Sequence, residues 1–549
     1  MTQPNFIIRR TPLVSLFAIG LAAMLSFSCQ QKPTDQANSS GTKPMDVANV
    51  LYVPTFKATS AEIDTLSKVF SIAVGDIASN LKPFKGGLLP DSQTCLYAGL
   101  DYYGPWARDG ALSISNGMAM LAPAACHNTL ISQLKLDKAG RLIFAGEYWD
   151  NLLQTRAHYD YYLATGDTSL IDEAMTASLN ALADRERDEY DERYGLFRGA
   201  AGFNDGISGY PDLYANTGTW TEGGEHWVSN IKKWPFEPSN ADKKAKVGFG
   251  LPLMALSTNC VHYQAYQTLP LLAAILGRKV DPTWATKAAT LKDNINKQLW
   301  QPEKGTYLYF QDPNGPSAHQ EGMGLALAIS TGVASAEQAK QIMSSAHQTN
   351  AGMPCLWPGF SRYDAFKPTK AQTGIKHYPR HAQTVWTMVQ SLWAHAAAIS
   401  NDSLRLHHEV TLQAEHAFRD RQFMEIYHPD NRLPYGGVQE DNDRKLVLWE
   451  STTRQTWGAS GYLRNLLQDV LGLNLTDQGI LLKPNLSTQY PKAKLEGLLI
   501  RGCQYSFWYL GTGHTIKSVL VDGKPLALTG TMTIPYAKGP KCHVVVELQ

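Results

Sequence analysis

The chain has little of what marks a nucleic-acid, metal or membrane-spanning protein. Its 549 residues carry 50 Lys and Arg against 49 Asp and Glu, a net charge of +1, with no run of Lys or Arg longer than two. A phosphate-binding surface needs clustered positive charge, so a nucleic-acid partner is not expected. Cysteine is sparse, with seven at positions 29, 95, 126, 260, 355, 503 and 542, none spaced as CxxC or set with His at zinc-finger intervals. Structural zinc is therefore not expected. No glycine-rich nucleotide loop, HExxH string or EF-hand occurs, and no cofactor is implied. Beyond residue 29 no apolar run approaches the ~20 residues that cross a bilayer.

The N-terminus is set apart from the rest. Arg9-Arg10, an apolar stretch over 13–27 and Ser28-Cys29 resemble a bacterial lipoprotein signal. Residues 1–29 are expected to be that signal, with Cys29 lipidated, and 30–59 a polar, Ser/Thr/Pro-rich tether. The protein would then be lipid-anchored in the cell envelope, at the periplasmic face or the outer-membrane surface. The other six cysteines would sit in an oxidising compartment, where disulfides can form; their pairing is not legible.

The full chain, 44% hydrophobic and 18% charged, has the composition of a soluble globular protein. Helical periodicity predicts twelve helices, over 61–81, 111–121, 128–136, 151–165, 169–194, 259–276, 282–300, 323–330, 335–347, 382–400, 402–424 and 453–471. Six long polar, aromatic-rich loops stand at alternate junctions: 101–110, 146–150, 195–259, 318–322, 354–363 and 434–457. Paired helices with loops at every second junction predict an all-α (α/α)6 barrel over 60–472, its loops rising on one face. After Gly472 short β-prone runs predict a small antiparallel β-domain over 473–549. The 13 Trp and 25 Tyr suit a sugar-binding face, and equally suit a large core.

Several strings along this frame resemble the six-hairpin glycosidases: PFKGGLLP, YYGPWARDGALS, GEYWD, GLFRGAAGFNDGISGYPD, STNC, YPRHAQTVWTMVQSLWA and RQTWGASGYLRNLL followed by GILLKPNL. Within that superfamily the likeness is to bacterial proteins described as glycogen-debranching-like or mannosylglycerate-hydrolase-like. It covers about residues 60–549 and implies a glucoamylase-like hydrolase barrel, without fixing the sugar.

Glycoside hydrolysis needs an acid and a base on opposite sides of the scissile bond. Trp106-Ala107-Arg108-Asp109 is similar to the WxRD loop that binds the terminal sugar of glucoamylases, which implies that role for Trp106, Arg108 and Asp109. A salt bridge or helix cap is the plainer use of the same residues. The resemblance implies Asp205, in Phe203-Asn204-Asp205-Gly206, as general acid, with Glu222, Glu225 and Asp212 as rivals and an Asp-Gly turn as the bland reading. The base is expected ahead of the last helix. Glu440 stands seventeen residues before Trp457, the spacing the resemblance favours, and Glu450 is the second candidate. Trp149, Asp150, His319, Glu321, Trp357, Arg362, Arg380 and His381 are expected to line the remaining loops.

The leading expectation is an exo-acting, inverting hydrolase of α-linked oligosaccharides, of α-glucosidase or debranching type. A polysaccharide lyase, using His262-Tyr263 or His377-Tyr378, is the first alternative. A non-catalytic sugar-binding lipoprotein is the second.

Overall fold

The computed structural model describes residues 51–58, 63–146, 150–202, 206–212, 253–441, 445–488, 491–527 and 532–549. Among them are twelve α-helices: α1 (Ile63–Ser79), α2 (Ala107–Ser115), α3 (Pro123–Ser132), α4 (Asp150–Thr165), α5 (Ile171–Asp188), α6 (Leu256–Ile275), α7 (Pro282–Leu299), α8 (Gly322–Ser330), α9 (Ala336–Ser345), α10 (Thr387–Ile399), α11 (Ser403–Asp420) and α12 (Thr456–Arg464). None is long and apolar enough to cross a membrane.

Burial separates the helices into two kinds. In α8 every residue from Gly322 to Ile329 is buried, whereas α7 buries only Trp284, Ala288, Leu291, Ile295 and Leu299. The first pattern belongs to a helix surrounded by protein, the second to one whose apolar stripe faces inward. The even-numbered helices contact one another in sequence, α2 to α4 to α6 to α8 to α10 to α12, and α12 returns to α2. Odd-numbered helices pack outside them, α5 on α4 and α6, α7 on α6, and α11 on α10. The outer helices carry the clearest stop and start chemistry. Asp281 caps α7 through the Thr283 amide at 2.9 Å, ahead of Pro282, and Ser335 with Gln338 closes a capping box on α9.

Helix starts differ from the sequence expectation mostly on the inner ring. The second helix begins at Ala107 rather than 111, so that Arg108 and Asp109 lie in its first turn. The third runs over Pro123–Ser132 because Pro123 is already shaped for a first turn. The sixth begins at Leu256, and the segment before α10 is a short strand, Val385–Trp386, paired with Ile426–Tyr427. The twelfth continues from Arg464 as a π-helical stretch, Asn465–Val470.

The β-domain forms two sheets. One is three-stranded, in the order Leu473–Thr476, Gly479–Leu482, Thr533–Pro535. The other has six strands, in the order Thr55–Ala58, Lys492–Ile500, Cys503–Leu510, Lys541–Leu548, Ile516–Val521, Lys524–Pro525. It departs from the expected antiparallel domain at one pair. Cys503–Leu510 runs antiparallel to Lys492–Ile500 through the Arg501-Gly502 turn, but parallel to Lys541–Leu548. The intervening 511–540 supplies the crossover that a parallel pair requires. A second correction concerns the expected tether: Thr55–Ala58 pairs with 493–496 and is part of this sheet. Cys95, Cys126, Cys260, Cys355, Cys503 and Cys542 are all buried free thiols. Cys29 and its signal lie outside the described residues.

Candidate active site

The six inner helices carry acidic, polar and aromatic residues at their starts. Trp106 precedes α2, Asp150 opens α4, Ser257 lies in the first turn of α6, Glu321 precedes α8, Trp386 precedes α10 and Gln455 precedes α12. Unpaired amides at helix starts favour negative charge and hydroxyl acceptors there.

Arg108 ties three loops together. Its Nε stands 3.6 Å from Asp150 Oδ1, and Nη1 donates to the main-chain oxygen of Gly202 at 3.4 Å. Beside it Asp109 is buried and accepts from Gln455 Nε2 at 3.2 Å. Burial pushes its carboxyl up to about 8, Arg108 opposes the rise, and Glu425 and Asp150 add to it. Asp109 does not serve as a side-chain cap of α2. Trp106 packs edge-on against Tyr103, with ring centres 6.1 Å apart.

Glu321 is buried beneath Gly202. Ser257 Oγ and the Gly202 amide (3.4 Å) donate to one of its oxygens, and the Ser257 amide donates to the other at 3.1 Å. Burial raises its carboxyl to about 7, against the lowering effect of these donors. It holds the backbone just ahead of residues 203–205 and does not reach the surface.

A second cluster lies around Ser208. Ser208 Oγ accepts from the His381 amide at 2.8 Å and donates to Gln439 Oε1 at 3.0 Å. Gly206 is needed here, because a Cβ would fall 2.4 Å from the His381 ring. Burial, reinforced by Arg380, holds His381 well below the usual imidazole range, so its ring is neutral. Arg380 Nη2 donates to Glu425 Oε2 at 2.8 Å, its Nη1 to the Gly436 carbonyl at 2.8 Å, and its guanidinium lies over the Trp386 and Trp449 rings. Tyr102 donates to the other oxygen of Glu425 at 2.9 Å.

Among the expected bases, Glu440 lies on the Val438–Glu440 strand and receives Arg362 Nε at 3.0 Å and the Tyr363 hydroxyl. Glu450 is exposed, and only its main-chain oxygen meets the site, through Arg380 Nη1 at 3.5 Å. Trp357 pairs in register with Gln320 next to Glu321, and its ring stacks on His347 at 3.8 Å. Asp212 is half of an ion pair with Arg362. Trp149, Asp205, Glu222 and Glu225 lie outside the described residues.

The residues of the lyase alternative have other partners. His262 is buried, stacks on Phe197 at 3.9 Å, bonds the Thr258 carbonyl and is lowered to about 3 by burial. Tyr378 donates to Asp430, and His377 bonds the Gln372 carbonyl. Sequence reasoning missed Glu425, Tyr102, Gln455, Ser208 and Gln439. For Glu425 a signal was present: an acid within Phe423-Met424-Glu425-Ile426-Tyr427, whose neighbours leave it no solvent face.

No protein-family model matches the chain, and no curated protein matches its sequence. Its likeness is to solved structures. One is described as a sialidase, with a TM-score of 0.57 and 12% identity over 86% of this chain and 40% of that one. Another is a GH78-family rhamnosidase of a Bacillus species, with a TM-score of 0.50 and 12% identity over 91% of this chain and 44% of that one. The chain shares the fold of these two structures. It spans less than half the length of either of these structures. A GH63 mannosylglycerate hydrolase of Thermus thermophilus, solved with glucose, aligns over 72% of this chain and 99% of its own, at 13% identity and a TM-score of 0.47.

Proposed function

We propose that the protein is an exo-acting, inverting glycoside hydrolase on an (α/α)6 barrel, cleaving α-linked oligosaccharides of the α-glucosidase or debranching kind. One observation carries the reading: the starts of α2, α4 and α12 and the loop after α11 bring Arg108, Asp109, Asp150, Gln455 and the Arg380–Glu425 pair together. Such a cluster offers fixed donors and acceptors to the diols of a sugar ring.

In this reading Asp205 protonates the glycosidic oxygen as the bond to the anomeric carbon breaks. Glu440 takes a proton from the water that attacks the opposite face, so the new hydroxyl has inverted configuration. Arg108 and Asp109 grip hydroxyls of the terminal sugar, and Trp106 gives it a stacking face. Glu440 is preferred to Glu450 because its neighbour Gln439 bonds Ser208, three residues after Asp205, whereas Glu450 turns to solvent. Glu425 is the second reading for the base, because Tyr102 of the first loop donates to it at 2.9 Å. Lipid attachment at Cys29 would hold the enzyme at the cell envelope.

The test is turnover on a panel of 4-nitrophenyl α-glycosides and the matching disaccharides by the purified chain. Release of free sugar supports the reading. Saturable binding without turnover would support a binding protein, and a new absorbing double bond in uronate polymers would support a lyase.

A further inference from the structure

We infer that Arg362 is a positioning residue that fixes the segment beginning at Gly206 against the strand carrying Glu440. Arg362 sits in a short 3-10 turn, Ser361–Ala365, that closes the fifth of the six loops. Its guanidinium has five N–H donors, and all five are engaged. Nε donates to Glu440 Oε1 at 3.0 Å. Nη1 donates to the Tyr210 carbonyl at 2.7 Å and to Asp212 Oδ1 at 2.9 Å. Nη2 donates to the Ile207 carbonyl at 2.8 Å and to the Tyr363 hydroxyl at 3.0 Å. Tyr363 passes its own proton donor on to the second oxygen of Glu440.

Two features of this set exclude a substrate contact as its main work. No donor is left for a sugar hydroxyl. Two of the acceptors are main-chain carbonyls, so the side chain reads where the 206–212 backbone lies rather than which side chains it bears. The arginine and Glu440 side chains are each 12% exposed, which keeps water from competing for these bonds. A lysine could not make them, because an ammonium offers three donors from one atom where five are used across a planar fork of three nitrogens.

The inference rests on the glycosidase reading, in which Asp205 directly precedes Gly206 in the chain. Arg362 would then set the distance between the proton donor and the base without touching the substrate. A misplaced acid has a distinctive kinetic signature. A 4-nitrophenolate leaves with little help, whereas a sugar alkoxide must be protonated as it leaves.

The experiment compares Arg362→Lys with the parent and with Asp205→Asn on two substrates of the same sugar, the 4-nitrophenyl α-glycoside and the unactivated disaccharide, with thermal melting as a check on folding. Arg362→Lys is expected to lose on the order of 10²-fold in kcat on the disaccharide, the scale of an ångström-sized misplacement, and less than tenfold on the aryl glycoside, with KM little changed. Equal losses on both substrates, or no loss on either, would overturn the inference. Should Arg362→Lys fail to fold, Asp212→Asn, at the exposed end of the clamp, is read by the same ratio. Leaving-group dependence in Asp205→Asn but not in the clamp variant removes Arg362 from the account. Dependence in the clamp variant but not in Asp205→Asn keeps the clamp and removes Asp205 as the acid.

Discussion

Arg380 and Glu425 form an ion pair at 2.8 Å, with both side chains almost wholly shut off from solvent. They come from different loops, one before α10 and one after α11, and the pair is roofed by Trp386 and Trp449. A buried charge is tolerated only with a partner, so this pair fixes how the two loops meet.

Arg380→Met should therefore be strongly destabilising. It leaves Glu425 buried with Tyr102 as its remaining donor, and breaking such a pair costs about 3–5 kcal/mol. Chemical denaturation of parent and variant would measure it. A loss below about 1 kcal/mol, the range of exposed pairs, would mean that Glu425 reaches water.

Asp109 and Asp205 should fail in different ways. Asp109→Ala removes hydroxyl contacts that tighten in the transition state, so kcat should fall together with a rise in KM. Unchanged kinetics in a folded variant would make the first loop purely structural. Asp205→Asn should lose ~10²–10⁴-fold in rate on an unactivated disaccharide with little change in KM.

The choice of base is testable by the same logic. Glu440→Gln should abolish the water-activating step and lower kcat by ~10²–10⁴-fold on aryl glycosides and disaccharides alike, since both need it. If Glu425→Gln does this while Glu440→Gln retains most of its rate, the base is Glu425.

Glu321 gives a pH test of stability. Its carboxyl rises from 4.5 to about 7 in the fold, chiefly through burial. The unfolded chain therefore loses this proton at lower pH than the folded one. The stability it contributes is complete below about pH 4.5 and is lost as pH rises through about 7. Glu321→Gln cannot ionise, so its melting temperature should fall less than that of the parent between pH 5 and pH 8. Identical falls would show that the group stays ionised throughout, held by Ser257 and Gly202.

The outer helices were legible because a single apolar stripe, as in α7, writes the helical period into the sequence. Inner helices such as α10 are buried on almost every side, so their period is blurred; the start of α10 was misplaced by five residues, as was that of the outer α3, whereas that of α8 was off by one. The WARD string was found, but not that it forms the first turn of α2 itself. Glu425 was missed for a related reason. Only the pairing of Val385–Trp386 with Ile426–Tyr427 brings it to Arg380, and that register is a long-range fact. Thr55–Ala58 looked like tether because four residues without their sheet partners carry almost no strand signal.

The measurement that bears most directly on the account is proton NMR of the first product released from an α-linked substrate, before mutarotation. An acid and a base set apart by a water should give the β-anomer first, whereas a retaining pair needs carboxyls only about 5–5.5 Å apart. Early accumulation of the β-anomer is the predicted result. Release of the α-anomer first would contradict the inverting mechanism and, with it, the roles given to Asp205 and Glu440.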